Sequence, residues 1–122
     1  MDKVAGNTFE LCWSKAKHKR LIARIEWSGF HGMNGIDSGK RCHPTQKPVA
    51  LYNWILARYA QEGNIILDTH VGSGSSLIAC HRAGLEYWGF EIDPVYYKAA
   101  KERLDRETAQ VNIMDILQGD TT

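Results

Sequence analysis

Three groups of residues in this chain have the types and spacing to hold a small, partly anionic ligand. The first is Asp68-Thr69-His70-Val71-Gly72-Ser73-Gly74. Its glycines let the backbone turn tightly and approach a ligand closely. A helix begun just after them, at Ser75-Ser76, would offer unpaired N–H groups to a negative group. The second is Glu91, 23 residues after Asp68. An acid at the end of the next strand can accept both hydroxyls of a ribose. The third is the segment before the preceding helix, Cys42-His43-Pro44-Thr45-Gln46-Lys47-Pro48. The turn lacks the third glycine of a dinucleotide fingerprint, since it continues Ser75-Ser76-Leu77, and no Gly-Lys-Ser/Thr of a phosphate loop follows. A nucleoside without a pyrophosphate fits this pattern better than a dinucleotide or a nucleoside triphosphate.

Positioning these groups requires strands that end at one edge. Pro48 suits the first turn of a helix, and Leu51, Trp54, Ile55, Arg58 and Tyr59 follow amphipathic spacing. Gly63-Asn64 ends that helix. Ile65-Ile66-Leu67-Asp68 is a short apolar run of buried-strand type. Ser75 or Ser76 can cap a helix running to about Ala83, with Gly84 as its stop. Tyr87–Ile92 reads as a second buried strand, and Asp93-Pro94 starts a helix through about Glu107. The tail after Ala109 fits no clean period. Upstream, residues 8–13 and 21–27 read as strands, and 28–42, with four glycines, as a loop. The middle is a βαβ unit, which predicts an α/β fold with a doubly wound parallel sheet. One domain is expected over 1–122: a basic strand and loop segment at 1–42, a cofactor-type core at 43–107 and a tail at 108–122.

Charge is uneven along a chain whose net charge is only +1. Through Lys47 there are nine Lys/Arg and four Asp/Glu; of the totals of 15 and 14, the remainder holds six and ten. A basic first third points to a face that meets polyanions, with Lys15, Lys17, Lys19 and Arg20 the densest run. No apolar run is long enough to span a bilayer, and the start MDKVAGNTFE has no secretion leader. Cys12, Cys42 and Cys80 are odd in number, form no CxxC and suggest reduced thiols rather than disulfides. Cys42-His43 and Cys80-His81 match no zinc spacing, so no metal is expected.

The succession HPTQKP, DTHVGSGSS and FEID resembles the motif order of bacterial and phage DNA amino-methyltransferases, which methylate adenine N6 or cytosine N4. The resemblance covers roughly residues 8–107. HPTQKP matches the family letter for letter. The second motif departs from the family's DPFxGSGTT at Thr69, His70, Ser75 and Ser76. The resemblance implies a Rossmann-like methyltransferase sheet that binds S-adenosylmethionine. Asp68, His70, Gly72, Ser73, Gly74 and Ser75 would line its methionine part. Thr45 and Lys47 would contact the carboxylate, a role suited to charge-assisted hydrogen bonds. Glu91 would hold the ribose, with Ile92 and Asp93 around the adenine. Lys15, Lys17, Lys19 and Arg20 would face the phosphates of double-stranded DNA.

The same family carries a catalytic Asp/Asn/Ser-Pro-Pro-aromatic motif for a base flipped out of the duplex. Here only Pro44, Pro48 and Pro94 occur, and no two are adjacent. No catalytic residue is therefore assigned, and the chain reads as the C-terminal portion of such an enzyme with a partial sheet. The expected reaction of the complete enzyme is direct transfer of the sulfonium methyl to an amino nitrogen, in the cytoplasm of a bacterium or a phage-infected host, as in restriction-modification. The alternative is a non-catalytic remnant, or a subunit that needs a second copy or a catalytic-half chain to complete the sheet.

Overall fold

The computed structural model describes residues 10–15, 19–25 and 43–118. Five elements follow one another: α1 (Val49–Tyr59), β1 (Ile65–Asp68), α2 (Ser75–Arg82), β2 (Glu86–Gly89) and α3 (Pro94–Leu117). The two strands pair in parallel, in the register Ile65–Glu86 through Asp68–Gly89. With α2 as the crossover, they form the expected βαβ unit. The architecture is a partial Rossmann-like α/β fold.

Helix α2 is the centre of the molecule. It touches α1, both strands and α3, and Ser75 through Cys80 are all buried. Its packing against α1 runs through Val49, Ile78 and Ala79, with Tyr52, Leu56 and Leu104 at the margin. The buried stripe of α1 is thus Val49-Tyr52-Leu56. Of the predicted stripe, Leu51, Trp54 and Ile55 are half-buried like Tyr52 and Leu56, whereas Arg58 and Tyr59 are exposed, and the Arg58 guanidinium stacks 4.5 Å over the Trp54 ring. This helix is apolar on two sides, and periodicity alone does not tell which one meets a neighbour.

Helix α2 stops as glycine chemistry dictates. Gly84 has φ +69°; its N–H bonds the His81 carbonyl at 3.1 Å, and the Leu85 N–H bonds the Cys80 carbonyl at 3.0 Å. This is the paired closure of a Schellman end. The start of α2 differs from expectation. Gly74, at φ +85°, is the N-cap and no side chain caps the helix. The hydroxyls of Ser75 and Ser76 donate instead to the Lys47 carbonyl and the Asp68 carboxylate.

Three further expectations are corrected. Residues 10–14 and 21–25 form no strand, and Leu11, Trp13, Leu21 and Ile22 are exposed. Strand-forming residues make a strand only where a second backbone completes the ladder, and none reaches them among the described residues. Strand β2 ends at Gly89 rather than Ile92, because Phe90 leaves the regular ladder. Helix α3 continues past Glu107 and the ambiguous tail to Leu117. No Gly or Pro interrupts residues 95–117, and the i,i+4 pairs Lys98–Glu102 and Lys101–Asp105 support its exposed face. The expected loop at 28–42, and residues 8, 9, 26 and 27 of the expected strands, lie outside the described residues.

Candidate functional site

The carboxyl ends of the two strands are knitted together. Beyond Gly89, the Phe90 N–H bonds the Asp68 carbonyl at 3.0 Å and the Val71 N–H bonds the Phe90 carbonyl at 3.0 Å. The chain leaving β1 is thereby held against the chain leaving β2. Ligands of open α/β sheets bind at this edge.

Glu91 sits there with its carboxylate engaged by backbone donors. Oε2 accepts the Gly72 N–H at 2.8 Å, and Oε1 accepts the Asp93 N–H at 3.2 Å. Each oxygen keeps a second lone pair for an outside donor, and the two bonds fix its direction. Asp68 is similarly oriented: Oδ1 accepts the His70 N–H at 2.9 Å and Oδ2 accepts the Ser76 hydroxyl. His70 Nδ1 lies 2.8 Å from the Thr69 hydroxyl, and both residues are exposed.

The segment before α1 closes over the glycine turn. The His43 ring packs 3.7 Å from the place where a side chain on Gly72 would begin, and 4.3 Å between centroids from Tyr96 on α3. Its Nδ1 accepts the Thr45 N–H at 3.2 Å and lies 3.0 Å from the Thr45 hydroxyl. The Lys47 carbonyl accepts the Ser75 hydroxyl at 2.7 Å. Thr45, Lys47, Gly72, Ser73, Gly74 and Ser75 are thus brought to one place. The Lys47 ammonium pairs with Glu10 at 2.8 Å.

Within this group the roles divide. Ser73 and Ser75 are buried, with their hydroxyls 3.1 Å apart, so they build the turn from beneath. Ile92 is 98% exposed at the open edge. Asp93 caps α3: its Oδ1 accepts the N–H groups of Val95 at 2.8 Å and Tyr96 at 3.1 Å. Lys15, Lys19 and Arg20 are exposed, and Lys17 lies outside the described residues.

Besides Glu10, three residues at this edge escaped the sequence reading. Arg103, buried on α3, donates from Nη1 to the Ser73 carbonyl at 3.1 Å and to the Ser75 hydroxyl at 2.8 Å. Nothing local marks it, since it lies 30 residues beyond Ser73. Gly89 has no room for a side chain: a Cβ there would stand 2.5 Å from Val71 Cγ2 and 2.7 Å from Leu77 Cδ1. Tyr52 lies half-buried below the site, and burial raises its hydroxyl pKa, with Asp68, Glu10 and Cys12 adding to the rise. A separate open concavity among Asn53, Leu56, Ala57, Arg82 and Gly84 lies beside the C-terminal ends of α1 and α2. It contains none of the motif residues, so the strand edge remains the better candidate.

The family model described as DNA methylase matches residues 2–102. The chain belongs to this family of N6/N4 amino-methyltransferases. It is 40% identical over 82 residues to the type II methyltransferase M.HpaI of Haemophilus parainfluenzae, a match covering 67% of this chain and 25% of that protein. It is 37% identical over 67 residues to the putative methylase YubD of Escherichia coli K12, covering 55% and 30%. Among solved structures, the crystal structure of the M1.HpyAVI–SAM complex is similar, with a TM-score of 0.50 and 36% identity, covering 52% of this chain and 31% of that one. The matched region is under a third of each of these proteins' lengths.

Proposed function

We propose that this chain is the S-adenosylmethionine-holding part of a DNA N6-adenine or N4-cytosine methyltransferase. The observation that carries the reading is Glu91, fixed by the Gly72 and Asp93 N–H groups at the carboxyl end of β2 with lone pairs to spare. A ribose diol needs an acceptor placed in this way. Gly72 and Gly74, at φ +58° and +85°, turn the backbone tightly at this edge, and the Lys47 ammonium supplies a counter-charge for a nucleoside's carboxylate. When bound, S-adenosylmethionine supplies an electrophilic methyl on a positively charged sulfur. This chain's part is to orient that group: Glu91 holds the sugar, and Thr45 and Lys47 hold the amino-acid end. Asp68, beside them, favours the positive sulfur electrostatically.

Double-stranded DNA is the proposed substrate, its phosphates met by Lys15, Lys17, Lys19 and Arg20 in a cytoplasmic enzyme. No helix among the described residues is long and apolar enough to cross a membrane.

A second reading has its own support. Among the described residues, one face of the sheet is uncovered: Ile65, Leu67 and Trp88, which the register places side by side, are each about 60% exposed. This favours a chain that acts only when a second copy or a catalytic-half chain covers that face. Titration of the chain with S-adenosylmethionine tests the first reading. Glu91→Ala is expected to weaken binding about ten- to a hundredfold, and an unchanged affinity would displace the site. Methyl transfer to DNA by the chain alone would reject the second.

A further inference from the structure

Glu10 lies 37 residues before Lys47, outside every motif, yet its Oε1 accepts the Lys47 ammonium at 2.8 Å. The Lys47 backbone is fixed on the first residue of α2 through the Ser75 hydroxyl, so this pair stands beside the glycine turn. The Glu10 side chain is 72% exposed and that of Lys47 34%. A pair so open to water is weakly held and easily exchanged. Asp68 is the other carboxylate at hand, and both its oxygens are already turned to His70 and Ser76. Glu10 and Asp68 share one neighbourhood, since after burial itself these two carboxylates do most to raise the pKa of the Tyr52 hydroxyl.

We propose that Glu10 and Lys47 separate to receive the zwitterionic amino-acid end of the cofactor, Lys47 meeting its carboxylate and Glu10 its ammonium. One ion pair opens and two form, so each charge is compensated in both states. Both new bonds are charge-assisted hydrogen bonds, stronger than neutral ones. Glu10 is then a specificity-determining residue. It makes the site prefer a nucleoside carrying both charges over one that keeps only the carboxylate. This rests on the cofactor reading above.

The test is calorimetric titration of the full chain and of Glu10→Gln with three ligands: S-adenosylhomocysteine, its des-amino analogue, and 5′-methylthioadenosine, which has no amino-acid end. Wild type should bind S-adenosylhomocysteine most tightly. Glu10→Gln should lose about tenfold towards that ligand, equivalent to one charge-assisted hydrogen bond, and nothing towards 5′-methylthioadenosine. It should no longer distinguish S-adenosylhomocysteine from the des-amino analogue, and Glu10→Asp should recover part of the difference. If Glu10→Gln binds S-adenosylhomocysteine as tightly as wild type or more tightly, Glu10 is only a counter-ion and the proposal is overturned. An equal loss towards all three ligands overturns it too, since that reports packing rather than recognition. If wild type binds all three ligands equally, the proposal fails while the cofactor reading survives. If wild type binds none of them, the cofactor reading fails first and the proposal with it.

Discussion

The two faces of the β1–β2 sheet are opposites. On one, Tyr87 meets His81 of α2 edge-on, with centroids 6.5 Å apart, and Gly89 lies so close to Val71 and Leu77 that no methyl group fits. On the other, Ile65, Leu67 and Trp88 are more than half exposed. Residues of both faces alternate along the same four-residue strands, so the difference does not come from the strands. It comes from the layer laid over them. Among the described residues α2 covers one face, and the apolar residues of the other are of the kind that a second layer buries.

The largest expected effect sets the faces against each other in stability. Ile78, fully buried in the covering helix, should cost about 2–5 kcal/mol as Ile78→Ala. Ile65→Ala on the bare face should stay within about 0.5 kcal/mol. Urea unfolding measures both, and similar losses would mean that the bare face is covered in solution.

A smaller effect, about 1–3 kcal/mol, is expected for Gly89→Ala, because the added methyl must push Val71 and Leu77 aside. Wild-type stability in this variant would show that the covered face is looser than its contacts suggest.

Charge on the bare face should leave stability nearly unchanged but reduce self-association. Sedimentation of Leu67→Lys and Trp88→Lys against wild type reads this directly. Identical behaviour of all three would remove this face from any self-contact.

The smallest effect is in alkali. Burial, assisted by Asp68, raises the Cys80 thiol above its ordinary value of 9.0. The folded state therefore keeps its proton at a pH where the unfolded state has lost it, and stability falls as pH rises past 9.0. Tyr87 and Tyr52, raised above 10.0, extend the loss upward. Cys80→Ala should remove the part that begins near 9.0 and leave the part that begins near 10.0. An unchanged profile in that variant would show that the thiol is not the group responsible.

The same contrast explains what could be read from the sequence. β1, α2, β2 and the start of α3 announce themselves locally, through Gly63-Asn64, Gly72-Ser73-Gly74, Gly84 and Asp93-Pro94, each of which sets backbone angles or caps within a few residues. The stretches at 10–13 and 21–25 have strand composition, but a strand is completed by a neighbour, and composition does not supply one. The apolar positions of α1 lie on two sides, and only α2 decides which is buried. At the site, HPTQKP, the glycine turn and Glu91 were legible because each is a local motif. Arg103, Gly89 and Glu10 were not, because each acts on residues that only the folded chain brings near.

Arg103 has a consequence for how the molecule would register a ligand. Its guanidinium grips the Ser73 carbonyl from the middle of α3, so the glycine turn and the helix are two ends of one mechanical link. By reciprocity, whatever stills the turn must also still the helix, to the extent that the link carries energy. Amide exchange in α3 around Arg103 then becomes a remote reporter of occupancy at the strand edge. A substitution that cuts the link, Arg103→Met, should silence that report even where the ligand still binds.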